Sequence, residues 1–160
     1  DGRVIHLLVS HPTPPSFDGP EDRNGRRNHD EIRLTADYIA GADYLVDDTG
    51  LAGGLANGSS FVVLGDQNSD PVDGDSYPGA IAQLLDSPAL QDPTPTSPAG
   101  GTDTADFADP VPGDLRVDYV LPSTDLTVTG SGVFWPAPGE PGAELLSASD
   151  HRLVWVDLQV

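Results

Sequence analysis

The sequence predicts a mixed α/β (α+β) fold, and three observations lead to this prediction. Short apolar runs with β-branched residues at 3–9, 61–64 and 115–122 are typical of buried strands. Apolar residues instead recur at helical spacing in residues 28–40 and 76–87. Strands and helices that alternate in this way indicate a sheet with helices packed on it.

Residues that cap or interrupt regular structure define the remaining elements. Asn28 or Asp30 is expected to cap the first helix. Two more strands are expected at 126–135 and 153–158. Residues 90–113, rich in proline and glycine, are expected to form a loop that is longer than a simple connection between two elements requires. This loop is either a lid that faces a substrate or a mobile surface loop.

The chain is strongly acidic: its formal net charge is −19, and all seven basic residues are arginines. Such a surface repels polyanions, so tight non-specific binding of nucleic acids is not expected. The absence of cysteine excludes disulfides and thiolate chemistry. No run is long enough to cross a bilayer, and the segment shows no signal peptide. A GC-rich genome, a salty habitat or an extracytoplasmic life would each account for the acidity, and we expect a secreted, bacterial-type protein.

A polar stretch directly follows the apolar run 61–64. Gly65 ends the run, and Asp66 and Asn68 follow two residues apart, so their side chains leave the strand in the same direction. The carboxyl end of a core strand is where open α/β sheets usually place their ligands. There Asp66 could hold a metal or orient a water, and Asn68 could contact a phosphate. The structural alternative is an Asp/Asn turn after a buried strand.

Four further candidate residues lie at strand ends or within a strand. His11 ends the first strand, because the prolines that follow cannot continue a central ladder. Asp118 interrupts an apolar strand and is costly to bury unless it has a partner. Asp150 and His151 stand side by side just before the closing strand.

The chain has one basic cluster, formed by Arg23, Arg26 and Arg27 in a stretch that we expect to be a loop. Guanidinium groups match phosphate oxygens, so the cluster could meet a substrate phosphate. Solvation, or pairing with nearby acids, is the alternative that we favour. Asn28 is either a structural residue at the helix start or a residue that reaches the site.

Three motifs and their order resemble the signatures of one family. Residues 65–68 (Gly-Asp-Gln-Asn) resemble its Gly-Asp-x-Asn signature, and residues 116–119 (Arg-Val-Asp-Tyr) resemble its Arg-[Ile/Leu]-Asp-Tyr signature. Residues 149–151 resemble its Ser-Asp-His signature, and His11 lies where many members carry a strand-ending histidine. The chain thus resembles the endonuclease/exonuclease/phosphatase superfamily, the DNase I-like phosphoesterases.

The resemblance implies a role for each matched residue. His151 is similar to the general base toward the attacking water, and Asp118 is similar to the carboxylate that orients this base. His11 is similar to the second imidazole, which contacts the scissile phosphate or serves the leaving group. Asp66 and Asn68 are similar to the pair that positions the nucleophile, contacts the phosphate and shares in metal binding.

The resemblance also implies a metal and a class of substrate. Asp150, together with Asp66, is similar to a metal-binding carboxylate, and Mg²⁺ is the expected ion with Mn²⁺ or Ca²⁺ as alternatives. The candidate contacts to the substrate phosphate are Asn68, His11, Asn28 and Arg116. The implied activity is metal-dependent hydrolysis of a phosphodiester or phosphomonoester, with a small phosphoester or a phospholipid-type substrate favoured over nucleic acid. The alternatives are an extracellular nuclease acting on DNA or RNA and a non-catalytic binding module of the same fold.

The chain departs from the family pattern in one respect. Family members carry an Asn and a metal-ligating Glu before the strand of His11, whereas Glu21 and Glu31 follow it. Residues 1–160 are therefore expected to form a single partial domain, the C-terminal portion of a DNase I-like α/β sandwich whose N-terminal half is missing. The missing Glu would account for inactivity of this segment by itself. An exposed apolar face is expected, covered in a homodimer or by the missing half.

Overall fold

The computed structural model describes residues 2–159, and the described residues combine short strands with few helices. In chain order the elements are β1 (Ile5–Val9), α1 (Arg23–Ile39), β2 (Ser60–Asp66), α2 (Ala82–Leu85), β3 (Ala105–Asp106), β4 (Asp114–Leu115), β5 (Asp118–Pro122), β6 (Thr127–Phe134), a 3₁₀ helix (Ala143–Ala148) and β7 (Leu153–Gln159). The observed fold is therefore of the mixed α/β class that the sequence predicts.

The largest of the described sheets has three strands in the order β1-β2-β5. β1 runs parallel to β2, with Val9 paired to Leu64. β5 runs antiparallel to β2, with Asp118 paired to Asp66. The carboxyl ends of β1 and β2 and the amino end of β5 therefore meet at one edge of the sheet. β3 pairs with β4 and β6 pairs with β7 in two smaller antiparallel sheets.

A hydrophobic core lies between the two helices and the three-stranded sheet. Ile32 of α1 and Leu84 of α2 are fully buried, and they belong to one cluster with Val63 of β2 and Tyr119 and Leu121 of β5. Full burial of an apolar side chain contributes roughly 1.5–3 kcal/mol. This packing fixes the strands, and with them the edge at which their polar end residues meet.

Several strands within residues 2–159 carry exposed apolar side chains, and the most exposed of them lie on β1 and β7. Leu7 and Val9 of β1 are 64% and 71% exposed, and Leu153 and Trp155 of β7 are 68% and 42% exposed. These side chains belong to two different sheets, and Val62 of β2, next to β1, is buried, so the continuous apolar face stays a prediction. None of the helices within residues 2–159 combines the length and apolar character needed to span a membrane.

α1 begins earlier than predicted, at Arg23 rather than after a cap at Asn28 or Asp30. The carboxylate of Asp18 accepts the backbone N–H of Asn24 and so satisfies a free donor of the first helical turn. The basic cluster that the sequence places in a loop therefore lies on the first turns of a helix.

α2 is shorter than the helix predicted at residues 76–87 and spans Ala82–Leu85. Gly79 has a φ of +80°, a left-handed conformation that interrupts a right-handed helix. The loop predicted at 90–113 contains regular structure, since it includes β3 and the first residue of a bridge between Leu90 and Ser123.

The strand predicted at 115–122 is divided into β4 and β5. The backbone N–H of Arg116 donates to the Asp70 carboxylate, and that of Val117 donates to the Thr104 hydroxyl. Side chains thus replace a neighbouring strand as hydrogen-bond partners at the break. Asp118 consequently lies at the start of a strand and not within one.

Candidate active site

Asp66 and Asp118 lie side by side at the edge where the strand ends meet. Asp66 is the last residue of β2, Asp118 is the first residue of β5, and the antiparallel register pairs them directly. Directly paired residues of adjacent strands project from the same face of a sheet. The two carboxylates are therefore close neighbours, and they need a nearby positive charge or a proton.

His151 provides a partner for Asp118. His151 Nδ1 lies 2.9 Å from Asp118 Oδ2, and a β-bridge to Ala105 holds the backbone of His151. When Nδ1–H donates to this carboxylate, Nε2 carries the free lone pair of the ring. Partial burial lowers the pKa of His151, but the hydrogen bond and charge of Asp118, with the charges of Asp66 and Asp150, outweigh burial and raise it.

Asp118 has a raised pKa as well. Burial is the largest cause, and the charge of Asp66 acts in the same direction. Hydrogen bonds from His151 and from the Thr104 side chain lower the pKa but do not cancel the effect of burial. Both members of the Asp118–His151 pair therefore hold protons more strongly in the folded protein than in an unfolded chain.

His11 contacts the same group of side chains through Asp66. His11 Nε2 lies 3.3 Å from Asp66 Oδ2, and His151 Nε2 lies 3.9 Å from the same oxygen. One carboxylate oxygen thus lies between two imidazoles. The His11 side chain is 70% exposed and that of His151 is 32% exposed, so His11 forms the rim of the site.

The turn after β2 holds Asp66 in place. Gly65 has a φ of +135°, and a Cβ at this position would collide with the carbonyl oxygen of Ser10. Asn68, itself at a φ of 50°, donates its backbone N–H to Asp66 Oδ1 at 2.8 Å. Its side-chain nitrogen donates to the Pro12 carbonyl at 3.0 Å. The predicted Asp/Asn turn is thus present, and it ties Asp66 to the segment that carries His11.

Asn28 has a supporting position and does not line the site. It is fully buried in α1, and its side-chain nitrogen donates to the carbonyls of Thr13 and Gln67 at 3.0 and 2.9 Å. These bonds join α1 to the segments on either side of the site. They occupy the amide hydrogens that a phosphate contact by Asn28 would require.

Arg116 pairs with a carboxylate and not with the substrate phosphate that the sequence analysis predicts. It is 7% exposed, and its two terminal nitrogens donate to Asp92 at 2.8 and 2.6 Å. Its guanidinium also lies 4.7 Å from the centre of the Tyr119 ring. The predicted phosphate contact by Arg116 is therefore not supported. Breaking a buried arginine–carboxylate pair that is held by two hydrogen bonds costs free energy.

Asp150 and the basic cluster do not belong to the group formed by Asp66, Asp118 and His151. Asp150 is exposed, and its backbone carbonyl accepts the N–H of Asp106. In the basic cluster, Arg27 pairs with Glu31 at 3.2 Å and Arg23 pairs with Glu21 at 3.4 Å. For these two arginines the pairing alternative is the one observed.

Several residues that support the site have no signature in the sequence. Thr104 is 1% exposed and its hydroxyl accepts the N–H of Asp118 at 2.9 Å. Phe107 packs edge-on against the His151 ring with centroids 5.5 Å apart. Arg152 donates to the Ser149 carbonyl at 2.6 Å and so braces the turn before His151. Only their burial and contacts reveal these roles, since threonine and phenylalanine in a loop rich in proline and aspartate form no motif.

A groove of about 750 Å³ runs beside His11. β1, α1 and residues 45–53 form its walls, and apolar side chains such as Leu34, Tyr38 and Val46 line much of it. The exposed Val9 also faces it. The groove is therefore continuous with the rim of the site and with the exposed apolar surface of β1.

Within residues 2–159 one group of three side chains could hold a metal ion: Asp66, Asp118 and His151, whose ligand atoms lie within 4.8 Å of one another. The two carboxylates of this group suit a hard divalent cation such as Mg²⁺ or Mn²⁺, which is commonly held by one or two protein carboxylates plus water and substrate oxygens. The donors present therefore fit a divalent metal. Asp150, which the sequence places among the ligands, is not part of this group.

Comparison with protein families assigns residues 4–151 to the Endonuclease/Exonuclease/phosphatase family. The match spans nearly the whole chain, so the protein belongs to this family, as the three sequence motifs indicate. Members of the family are generally hydrolases that act on phosphoester bonds with the help of divalent metals. A search among curated proteins found no match.

Proposed function

We propose that the protein hydrolyses phosphoesters in a metal-dependent reaction with His151 as the general base. The observation that carries this proposal is the 2.9 Å pairing of His151 Nδ1 with Asp118, which stands next to Asp66 and His11. A carboxylate that holds one ring nitrogen of a histidine leaves the other nitrogen in the form that accepts a proton. Family membership supports the reaction class.

His151 and Asp118 act together on the attacking water. The Nε2 atom of His151 accepts a proton from the water as it approaches phosphorus, and Asp118 stabilises the imidazolium that forms. General base catalysis of this kind contributes about 10²–10⁴-fold to a rate. Phe107, in contact with the ring of His151, limits its rotation.

His11 acts on the phosphate or on its leaving group, and not on the attacking water. It is more exposed than His151 and lies next to the apolar groove, where a leaving group would have room. It binds a phosphate oxygen or gives a proton to the departing oxygen. Asn68 contributes by holding the segment of His11 through Pro12 and Asp66 through its own N–H.

A divalent cation, for which we propose Mg²⁺, would be held by Asp66 and Asp118 and would supply the positive charge that a phosphate needs. The ion pairs of residues 2–159 include no arginine next to these two carboxylates. Two adjacent carboxylates repel a phosphate, and this supports the requirement for a metal.

The substrate that we propose is a small phosphoester or a phospholipid headgroup. The net charge of −19 opposes binding of a long polyanion such as DNA or RNA. The same acidity supports an extracytoplasmic location for the protein. Phosphate release from small soluble diesters and from defined oligonucleotides, compared at several salt concentrations, tests the substrate class.

We also propose that the chain forms the C-terminal portion of the family domain. The exposed Leu7 and Val9 on β1 and Leu153 and Trp155 on β7 support an additional layer of structure over these strands. The rest of such a domain would cover them. A light-scattering measurement of molar mass tests the competing possibility, in which two copies of residues 1–160 cover these faces.

The catalytic proposal is tested with the protein that contains residues 1–160. The measurement is the rate at which it hydrolyses bis-p-nitrophenyl phosphate and p-nitrophenyl phosphate, with and without Mg²⁺. We expect Mg²⁺-dependent turnover that His151→Ala lowers by about 10²-fold or more. His6→Ala is the matched control, because His6 is exposed on β1. Equal activity of the two variants, or turnover unaffected by chelation, would contradict the proposal and would favour a non-catalytic binding module.

A further inference from the structure

Thr104 is a buried residue of the segment between α2 and β5 to which the proposed chemistry gives no role. It is 1% exposed, and its Oγ1 accepts two backbone hydrogen bonds, from Val117 at 3.0 Å and from Asp118 at 2.9 Å. Val117 is the last residue of the break between β4 and β5, and Asp118 is the first residue of β5. The hydroxyl therefore fixes the backbone at the start of β5, from which the Asp118 side chain leaves.

The backbone of Thr104 is joined to both catalytic segments as well. Its N–H donates to the Leu115 carbonyl at 2.9 Å, and its carbonyl accepts the N–H of Arg152 at 2.8 Å. The next residue, Ala105, forms the β-bridge with His151. Thr104 thus stands between the strand that carries Asp118 and the turn that carries His151.

The position that Thr104 fixes is the root of the Asp118 side chain. Oγ1 accepts the backbone N–H of Asp118 at 2.9 Å, and the carboxylate of the same residue lies 2.9 Å from His151 Nδ1. A shift of the backbone at Asp118 would therefore move the carboxylate relative to the imidazole.

We infer that Thr104 is a positioning residue that orients the Asp118 carboxylate and thereby holds His151 in the tautomer with hydrogen on Nδ1. The inference rests on the proposed function only in naming His151 as the base. A threonine suits this task because its methyl group can be buried while its hydroxyl accepts the N–H groups of Val117 and Asp118. Valine has the same shape but no hydroxyl, and serine keeps the hydroxyl without the methyl group.

The test compares Thr104→Val with Thr104→Ser, and Thr102→Val is the control because Thr102 is exposed. The first readout is the ¹⁵N NMR spectrum of the His151 ring in metal-free protein, which distinguishes the tautomers. We expect Thr104→Val to lose the single Nδ1–H tautomer and Thr104→Ser to keep it. A Thr104→Val protein that is folded and retains the tautomer would overturn the inference, as would equal loss in both variants.

The second readout is catalysis. Thr104→Val is expected to lower kcat about 10–100-fold with little change in KM, and Thr104→Ser is expected to stay within about threefold of the parent. Loss in KM alone would contradict a positioning role. If no variant and not even the parent turns over substrate, the proposed function fails, but the ring spectrum still decides the inference.

A measurement on the unaltered protein guards against a Thr104→Val variant that does not fold. The amide protons of Val117 and Asp118, held by Oγ1, are expected to exchange with deuterium about as slowly as those of β5. Fast exchange at both positions, with slow exchange at Val120 and Leu121, would show that the Thr104 bonds are not maintained and would overturn the inference.

Discussion

Asp66 and Asp118 are directly paired across two antiparallel strands, so that two carboxylates share one face at the edge of the sheet. Like charges placed opposite each other in a sheet destabilise it, and here a histidine contacts each carboxylate. This pairing lowers the stability of the fold and favours the binding of a cation. Functional sites commonly carry such a cost in stability.

The first prediction is that Asp66→Asn stabilises the metal-free protein while it weakens metal binding. The change removes one of the two facing charges, and the amide oxygen can still accept the N–H of Asn68. We expect a gain of about 0.5–1 kcal/mol in the free energy of unfolding at pH 8, measured by urea denaturation with chelator present. The exposed Asp48→Asn is the control. A loss of stability with unchanged Mn²⁺ affinity would contradict the role given to Asp66.

The second prediction concerns the protonation of His151. Its pKa is raised in the folded protein, so the protonated ring stabilises the fold fully below the ordinary histidine pKa of about 6.5. This contribution is lost as the pH rises through the folded-state pKa. We expect an NMR titration of metal-free protein to place the midpoint of His151 above 6.5 and Asp118→Asn to lower it. A midpoint that does not move in Asp118→Asn would contradict the pairing.

The third prediction concerns Gly65, the glycine of the Gly-Asp-x-Asn signature. Gly65→Ala requires a positive φ and also pushes a Cβ against the Ser10 carbonyl, whereas Gly58 has a φ of +78° and open space around it. Gly58→Ala is therefore expected to cost about 1 kcal/mol, from conformation alone. Gly65→Ala is expected to cost about 2 kcal/mol or more by thermal denaturation. Equal costs would show that the close approach of Ser10 is unimportant.

The fourth prediction separates Arg116 from the site. Asp92→Asn leaves a buried guanidinium without its carboxylate, and removing one partner of such a pair costs about 3–5 kcal/mol. Asp92 has a lowered pKa despite burial, because hydrogen bonds from Arg116 and Thr94 oppose it. The pair therefore stabilises the fold above the unfolded carboxyl pKa, and this stability is lost as the pH falls through the folded value.

Urea denaturation between pH 3 and 7 measures the contribution of the Asp92–Arg116 pair. Glu21→Gln, in an exposed pair with Arg23, is the control and is expected to change stability by less than about 0.5 kcal/mol. If the effect of Asp92→Asn equals that of the control at all pH values, Arg116 does not depend on Asp92, and a contact with phosphate becomes possible again.

Much of the site could be predicted because its residues follow strands with clear apolar patterns. The run at 61–64 located the end of β2 and therefore Asp66, and the need of Asp118 for a partner was met by His151. Strand ends are local features that an apolar run predicts, but period-two alternation does not extend to Asn68, which lies beyond β2 at a φ of 50°. The order of the three motifs supplied the family.

The residues that the sequence could not predict depend on contacts between distant segments. Arg116 belongs to a family motif, but its partner Asp92 lies in a proline-rich loop with no regular pattern. Asp18 extends α1 beyond the expected cap through a bond to Asn24. Thr104 is one of several threonines in its loop, and only the folded chain shows which of them is buried.

The central claim is that His11, Asp66, Asp118 and His151 form one metal-dependent site, and Mn²⁺ titration followed by the NMR signals of the histidine rings tests it most directly. The paramagnetic ion broadens signals of nearby nuclei, and the sequence contains only four histidines. We expect His11 and His151 to broaden at Mn²⁺ concentrations that leave the signal of His6 sharp, and Asp66→Asn to weaken this effect. Broadening of His6 before His151, or uniform broadening of all four rings, would contradict the site.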